Sequence, residues 1–197
     1  MSSPQQARAV IVKTLLSQAV QRIDFSLSTI SIDGAAYRAL ASLVAANEIG
    51  VVVEAQDKGV GASYKVSSND ISLSPHFNDA DVMQLSYLVH ECAHAIHDIY
   101  GASGIDTRRG SRTYTTNSED EAAAYIAGAL YYVHAGGPAP VGWHPHWQKA
   151  YTIAKSLVGR KGVKIPFHDE MHLRSLIAVR PVYAASGVFG ATTSDGI

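Results

Sequence analysis

Cysteine is nearly absent: Cys92 is the only one in 197 residues. No disulfide can form within the chain, and a cysteine-rich structural zinc site is excluded. Neither sign of charge is in excess, with 16 Lys and Arg against 17 Asp and Glu and a formal net charge of −1. That balance predicts neither a nucleic-acid partner nor attraction to an anionic membrane. No apolar run approaches the ~20 residues needed to span a bilayer. The opening Met1-Ser2-Ser3-Pro4-Gln5-Gln6-Ala7-Arg8 lacks the basic and apolar regions of a secretory signal. The expected location is therefore cytoplasmic, or outside the cell by a route that needs no cleaved signal. There is no internal repeat. With 47% hydrophobic and 17% charged residues the composition is that of an ordinary globular domain. The length suits a single domain over 1–183, followed by a small, polar tail over 184–197 that is expected to be mobile.

What is present is a run of histidines on one stretch: His90-Glu91-Cys92-Ala93-His94-Ala95-Ile96-His97-Asp98. Two histidines four apart on a helix share a face, with Cβ atoms roughly 5–6 Å apart. Both imidazoles then reach one ion at Zn–N distances of about 2.0–2.1 Å. Glu91 points about 100° around the helix from His90, beside the ion rather than on it. There its carboxylate is placed to take a proton from a metal-activated water, which is the logic of His-Glu-x-x-His zinc hydrolases. Shuffling the same composition would produce the pattern only about 0.01 times. The alternative is a helix with two surface histidines. The apolar flanks Val82, Met83, Leu85, Val89, Ala93 and Ile96 speak for a buried helix instead. Buried imidazoles and a carboxylate together need a partner to offset desolvation, and a metal supplies one. Cys92 is turned away from the ligand face and reads as a buried, inert thiol.

Around this helix, expected over ~79–100 with Asn78 or Asp79 as cap and Gly101 as stop, apolar spacing places others over ~4–22, ~34–48, ~118–134, ~146–159 and ~168–179. Val51–Ala55 and Ala62–Val66 read as strands that pair through Gly59-Val60-Gly61. Asp70–Ser74 alternates as a half-buried or edge strand does. The segment 102–117, with Arg108, Arg109 and Arg112, reads as a solvated loop. These elements make an α+β fold, mostly helical, with a small mixed or antiparallel sheet beside the histidine helix.

A catalytic zinc takes about three protein ligands and leaves a position for water. A third histidine at metzincin spacing is missing, since Tyr100 stands there and His97 replaces the expected glycine. His97 sits about 10 Å along the axis from His90, too far to share the ion, and reads as a flanking or surface residue. Asp98 is a candidate to hydrogen-bond a ligand imidazole and fix its tautomer. The third ligand is expected from Glu119, whose face continues through Ala122, Ala123, Ile126 and Leu130, small enough for close helix packing. Glu121, sharing its face with Tyr125, Gly128 and Tyr132, is the second choice, and Asp106 a distant third.

His90-Glu91-x-x-His94 followed by Glu119-Asp120-Glu121-Ala122-Ala123-Ala124-Tyr125 resembles the gluzincin metallopeptidases, and in particular small ImmA/IrrE-type bacterial peptidases. Their second helix reads Glu-x-x-Ala-Asn-x-Phe-Ala, and its first Glu, a zinc ligand, maps onto Glu119. The sequence departs from that pattern at Ala123 and Ile126, and the matched span covers only ~80–130. The resemblance implies a zincin-like fold and a Zn2+-dependent peptidase acting on a peptide or protein substrate. Zincins commonly hold that substrate along an edge strand, for which Ile71-Ser72-Leu73 and Val51 to Glu54 are candidates.

The expected chemistry is peptide hydrolysis with His90, His94 and Glu119 on zinc and Glu91 as general base. His144, His146, Tyr151 and His168 are candidates for stabilising the oxyanion. Two other readings remain: a secreted or injected effector peptidase with the same chemistry, and a non-catalytic module in which zinc staples two helices. A closed four-ligand site that adds His97 or Asp98 would mark the latter.

Overall fold

The computed structural model describes residues 3–28, 30–56, 61–103 and 117–179, with side chains excepted at 100–103 and 117. Asp106 and Arg108, Arg109 and Arg112, with the tail at 184–197, lie outside the described residues.

The N-terminal helical stretch is broken in two: α1 (Pro4–Leu15), capped by the Ser3 hydroxyl, and α2 (Gln18–Gln21). Ser17 makes the break, because its extended backbone and its hydroxyl, accepting from Val20 N–H, start a new helix. Strands β1 (Asp24–Ser26) and β2 (Ser31–Asp33) follow, then α3 (Gly34–Ala45), capped by Asp33. Next come β3 (Gly50–Val53), β4 (Ala62–Lys65) and β5 (Asp70–Leu73). Helices α4 (Val82–Ser103), α5 (Asn117–His134) and α6 (Pro145–Leu157), the two-residue strand β6 (Val163–Lys164) and α7 (Phe167–Ala178) complete the order. The result is a mixed α+β fold. Among the described residues no helix is long and apolar enough to cross a membrane.

Among the described residues there are two small sheets, where one was expected. In the first, β1 lies between antiparallel β2 and parallel β6, in strands too short for alternation to show in sequence. In the second the order is β3-β5-β4, with β5 parallel to β3 and antiparallel to β4. The expected β3–β4 pair does not form, because β5 lies between them. Asp70–Leu73 is thus a central strand, with Ile71, Ser72 and Leu73 buried, and not an edge. It has no free backbone to offer a peptide. β3 and β4 are the two edges of this sheet: β4 lies against α4 with Ala62, Ser63 and Tyr64 buried, and β3 lies against α1.

Helix α4 starts later than expected, at Val82. Asp81 is the cap: its Oδ1 accepts from the N–H groups of Met83 (2.8 Å) and Gln84 (3.4 Å). Asn78 instead closes a turn of its own, accepting from Ala80 N–H at 3.1 Å. The helix also runs through Gly101 to Ser103. Helix α5 passes through the middle of the molecule between α4, α6 and α7, and every residue from Glu121 to Tyr132 is buried. Tyr37 of α3 supports α4 from another side, its hydroxyl donating to the Val89 carbonyl at 3.2 Å.

Candidate metal centre

Two neighbouring faces of α4 carry the polar side chains. His90, His94 and His97 face α5, while Glu91 and Asp98, seven residues apart, both reach Tyr64 of β4. What brings α5 close enough to meet the histidines is Gly128. A Cβ there would stand 2.7 Å from the Ser86 carbonyl oxygen and 3.3 Å from the His90 Cβ. Only a hydrogen fits, so the two backbones touch one turn before the histidines begin.

With that contact as pivot, α5 turns the Glu121–Tyr125–Gly128 face toward α4. Glu121 Oε2 is 3.5 Å from His90 Nε2, its Oε1 is 3.3 Å from His94 Nε2, and the two Nε2 atoms are 3.2 Å apart. Four ligands arranged tetrahedrally at about 2.0–2.1 Å from zinc are separated by about 3.3–3.4 Å. These distances are of that size; they run to both Glu121 oxygens, and one ligand atom from each of the three residues lies within 4.8 Å of the other two. Among the described residues the His90–His94–Glu121 triangle is the group whose ligand atoms can hold one ion. His90 and Glu121 are buried, and Glu121 Oε2 has no hydrogen-bond partner, so a cation fits the donor set.

Glu119 is not in this group. It is as buried as Glu121, but it points to the other side of α5, where its Oε2 lies 4.0 Å from Arg174 Nη1 of α7. Arg174 also donates to Ser118 Oγ and Glu170 Oε1, both at 3.2 Å, so Glu119 belongs to a junction between α5 and α7. The structure thus places the second-choice carboxylate, not the favoured one, beside the histidines. Apolar residues surround the whole of α5 from Glu121 to Tyr132, so smallness alone does not say which stripe meets α4. The signal that could have found it is Gly128, a mid-helix glycine seven residues after Glu121 and so on its face.

Asp98 Oδ2 accepts from the Tyr64 hydroxyl at 2.9 Å. The carboxylate at His94 is Asp120. Its Oδ2 lies 2.8 Å from His94 Nδ1, which as donor leaves the Nε2 lone pair facing His90 and Glu121. Burial alone pushes the His94 imidazole down, but the charges of Asp120 and Glu121 and the Asp120 bond hold it well above its ordinary value. Burial likewise favours a neutral Asp120, yet His94 and His97 keep its carboxyl well below the usual carboxylate range.

Glu91 is buried, and its Oε2 accepts the main-chain N–H of Tyr64 at 2.8 Å. Cys92 is buried and its thiol is pushed far up by burial, so it is inert as expected. Of the oxyanion candidates, His144 is exposed at the start of α6 and His168 is exposed beside Asp169. Tyr151 packs near Tyr132 and Trp143. His146 is buried with its ring centroid 4.9 Å from that of Tyr125, which in turn meets the His90 ring at 4.5 Å. Trp147 closes the same wall, 5.1 Å from Tyr125 and 6.3 Å from His90. Neither Tyr125 nor Trp147 stood out in the sequence.

Comparison with protein-family models, with curated proteins and with solved structures finds no match to this chain in any of the three.

Proposed function

We propose that the protein is a zinc-dependent hydrolase of peptide bonds, with His90, His94 and Glu121 as the metal ligands and Glu91 as general base. The observation that carries this reading is the pair of Nε2 atoms 3.2 Å apart with the two Glu121 carboxylate oxygens 3.5 Å from His90 and 3.3 Å from His94. Glu91 stands one residue from His90 on the same helix, and it is buried with its Oε2 held by the Tyr64 N–H. The reading keeps the gluzincin resemblance, with the downstream ligand moved from Glu119 to Glu121. Zinc supplies Lewis acidity at such a site, lowering the pKa of water toward ~7 and polarising a carbonyl. The chain's own groups do the rest. Asp120 orients His94, the wall of Tyr125 and Trp147 packs beside His90, and Glu91 accepts a proton and returns it to the leaving amine. His97 and Asp98 both have partners outside the triangle, which favours catalysis over a closed, stapling site.

The test is zinc stoichiometry by mass spectrometry together with hydrolysis of a random peptide library. About one zinc per chain, with cleavage lost on chelation and restored by zinc, is the expected result. A protein that binds no zinc overturns the reading.

A further inference from the structure

Asp120 touches two imidazoles, not one. Its Oδ2 lies 2.8 Å from His94 Nδ1 and its Oδ1 lies 3.1 Å from His97 Nδ1. The two histidines are three residues apart on α4, so their rings rise from one face a turn apart. Asp120 sits in the first turn of α5, next in sequence to Glu121.

We propose that His97 is a positioning residue of the metal centre: it holds the Asp120 carboxylate in the orientation that fixes the ring of His94. The inference rests on the metal reading above and adds to it a residue outside the triangle. The physical reason is the number of torsions. An aspartate side chain turns about two bonds, and a single hydrogen bond to one oxygen leaves the carboxylate able to swing. A second contact, at the other oxygen and from a ring on the same rigid helix, restricts that swing. Asp120 and His97 keep 21% and 17% of their side-chain surface exposed, so water competes for the carboxylate on that side. A histidine can hold the carboxylate whether neutral or charged, because Nδ1–H is a donor in the cation and in one neutral tautomer. The arrangement also ties the first turn of α5, and with it Glu121, to α4 at a second point.

Partners of metal-ligating histidines are generally worth about 10–100-fold in metal affinity. Asp120→Ala should fall in that range. His97, one bond further out, should be worth about fivefold to tenfold, at or below its lower end. The experiment is competition for zinc against a chromophoric chelator at fixed pH. It uses wild type, His97→Ala, His97→Asn, Asp120→Ala and the His97→Ala/Asp120→Ala double variant, with folding of each checked by circular dichroism. His97→Ala should release zinc more readily. His97→Asn, whose amide N–H can stand where Nδ1–H stood, should recover most of the loss. The double variant should bind no more weakly than Asp120→Ala alone, since His97 then has nothing to hold. Wild-type affinity in His97→Ala, or losses that simply add in the double variant, overturns the proposal while leaving the metal reading intact. Absence of zinc from wild type is a different failure, that of the metal reading itself.

Discussion

The main-chain N–H of Tyr64 donates to Glu91 Oε2 at 2.8 Å, joining strand β4 to the helix that carries the histidines. The Tyr64 hydroxyl reaches Asp98 of the same helix at 2.9 Å, so one residue pins α4 at two points two turns apart. Glu91 is thereby held on the strand side of α4, clear of the ligand face. Glu91→Gln preserves an acceptor for Tyr64 and removes only the basicity. The variant should bind zinc as wild type does and lose hydrolysis by about 10²–10⁴-fold. Metal content and library cleavage measured side by side check this, and a fully active Glu91→Gln protein would remove Glu91 from the mechanism.

The two carboxylates of α5 separate cleanly. Glu121→Gln should no longer hold zinc stoichiometrically, because a neutral amide replaces the anionic corner of the triangle. Glu119→Gln should keep the metal and lose stability by about 1 kcal/mol through its weakened place beside Arg174. Mass spectrometry and thermal unfolding of both variants decide it. Equal zinc in the two would mean that Glu121 is no ligand.

Gly128→Ala tests the helix contact. Alanine favours helix by up to about 1 kcal/mol over glycine. Here its methyl would meet the Ser86 carbonyl oxygen at 2.7 Å, and a backbone atom cannot step aside. Overpacking of about 1–3 kcal/mol should win. The variant should melt earlier and bind zinc more weakly, as α5 is levered away from His90. An unchanged melting temperature would show that the helices tolerate a wider spacing.

A pH effect is expected at the far side of α6. Lys149 Nζ donates to Asp169 Oδ1 at 2.6 Å, and this bond holds the Asp169 carboxyl below its ordinary value of 3.8. A depressed folded value means that the stabilisation is present above the unfolded pKa and fades as pH falls through the folded one. The pair is partly exposed, so Asp169→Asn should cost less than about 1 kcal/mol near neutrality. The difference from wild type should vanish in strong acid. Thermal unfolding of both proteins across the acid range provides the measurement; a gap that persists in strong acid would contradict the assignment.

The sequence alone determined a good deal. Hydrophobic spacing gave the helices at residues 34, 82, 117, 145 and 167 to within a few positions, because each is long enough for its period to show. His90, Glu91 and His94 were legible as a group because one helix fixes their spacing with no help from the rest of the chain. Tertiary structure decided what lies across space. β1, β2 and β6 are too short to carry a pattern, and the order β3-β5-β4 depends on a pairing between segments distant in the chain. Gluzincin-like Glu-x-x-Ala can be laid from Glu119 through Ala122 or from Glu121 through Ala124, and spacing does not choose between them. Packing chooses, because Gly128 admits the backbone of α4 on one face of a helix that is apolar all round. That contact turns Glu121 toward the histidines and Glu119 toward Arg174. Asp120 stands at His94 for the same reason: the partner comes from the facing helix.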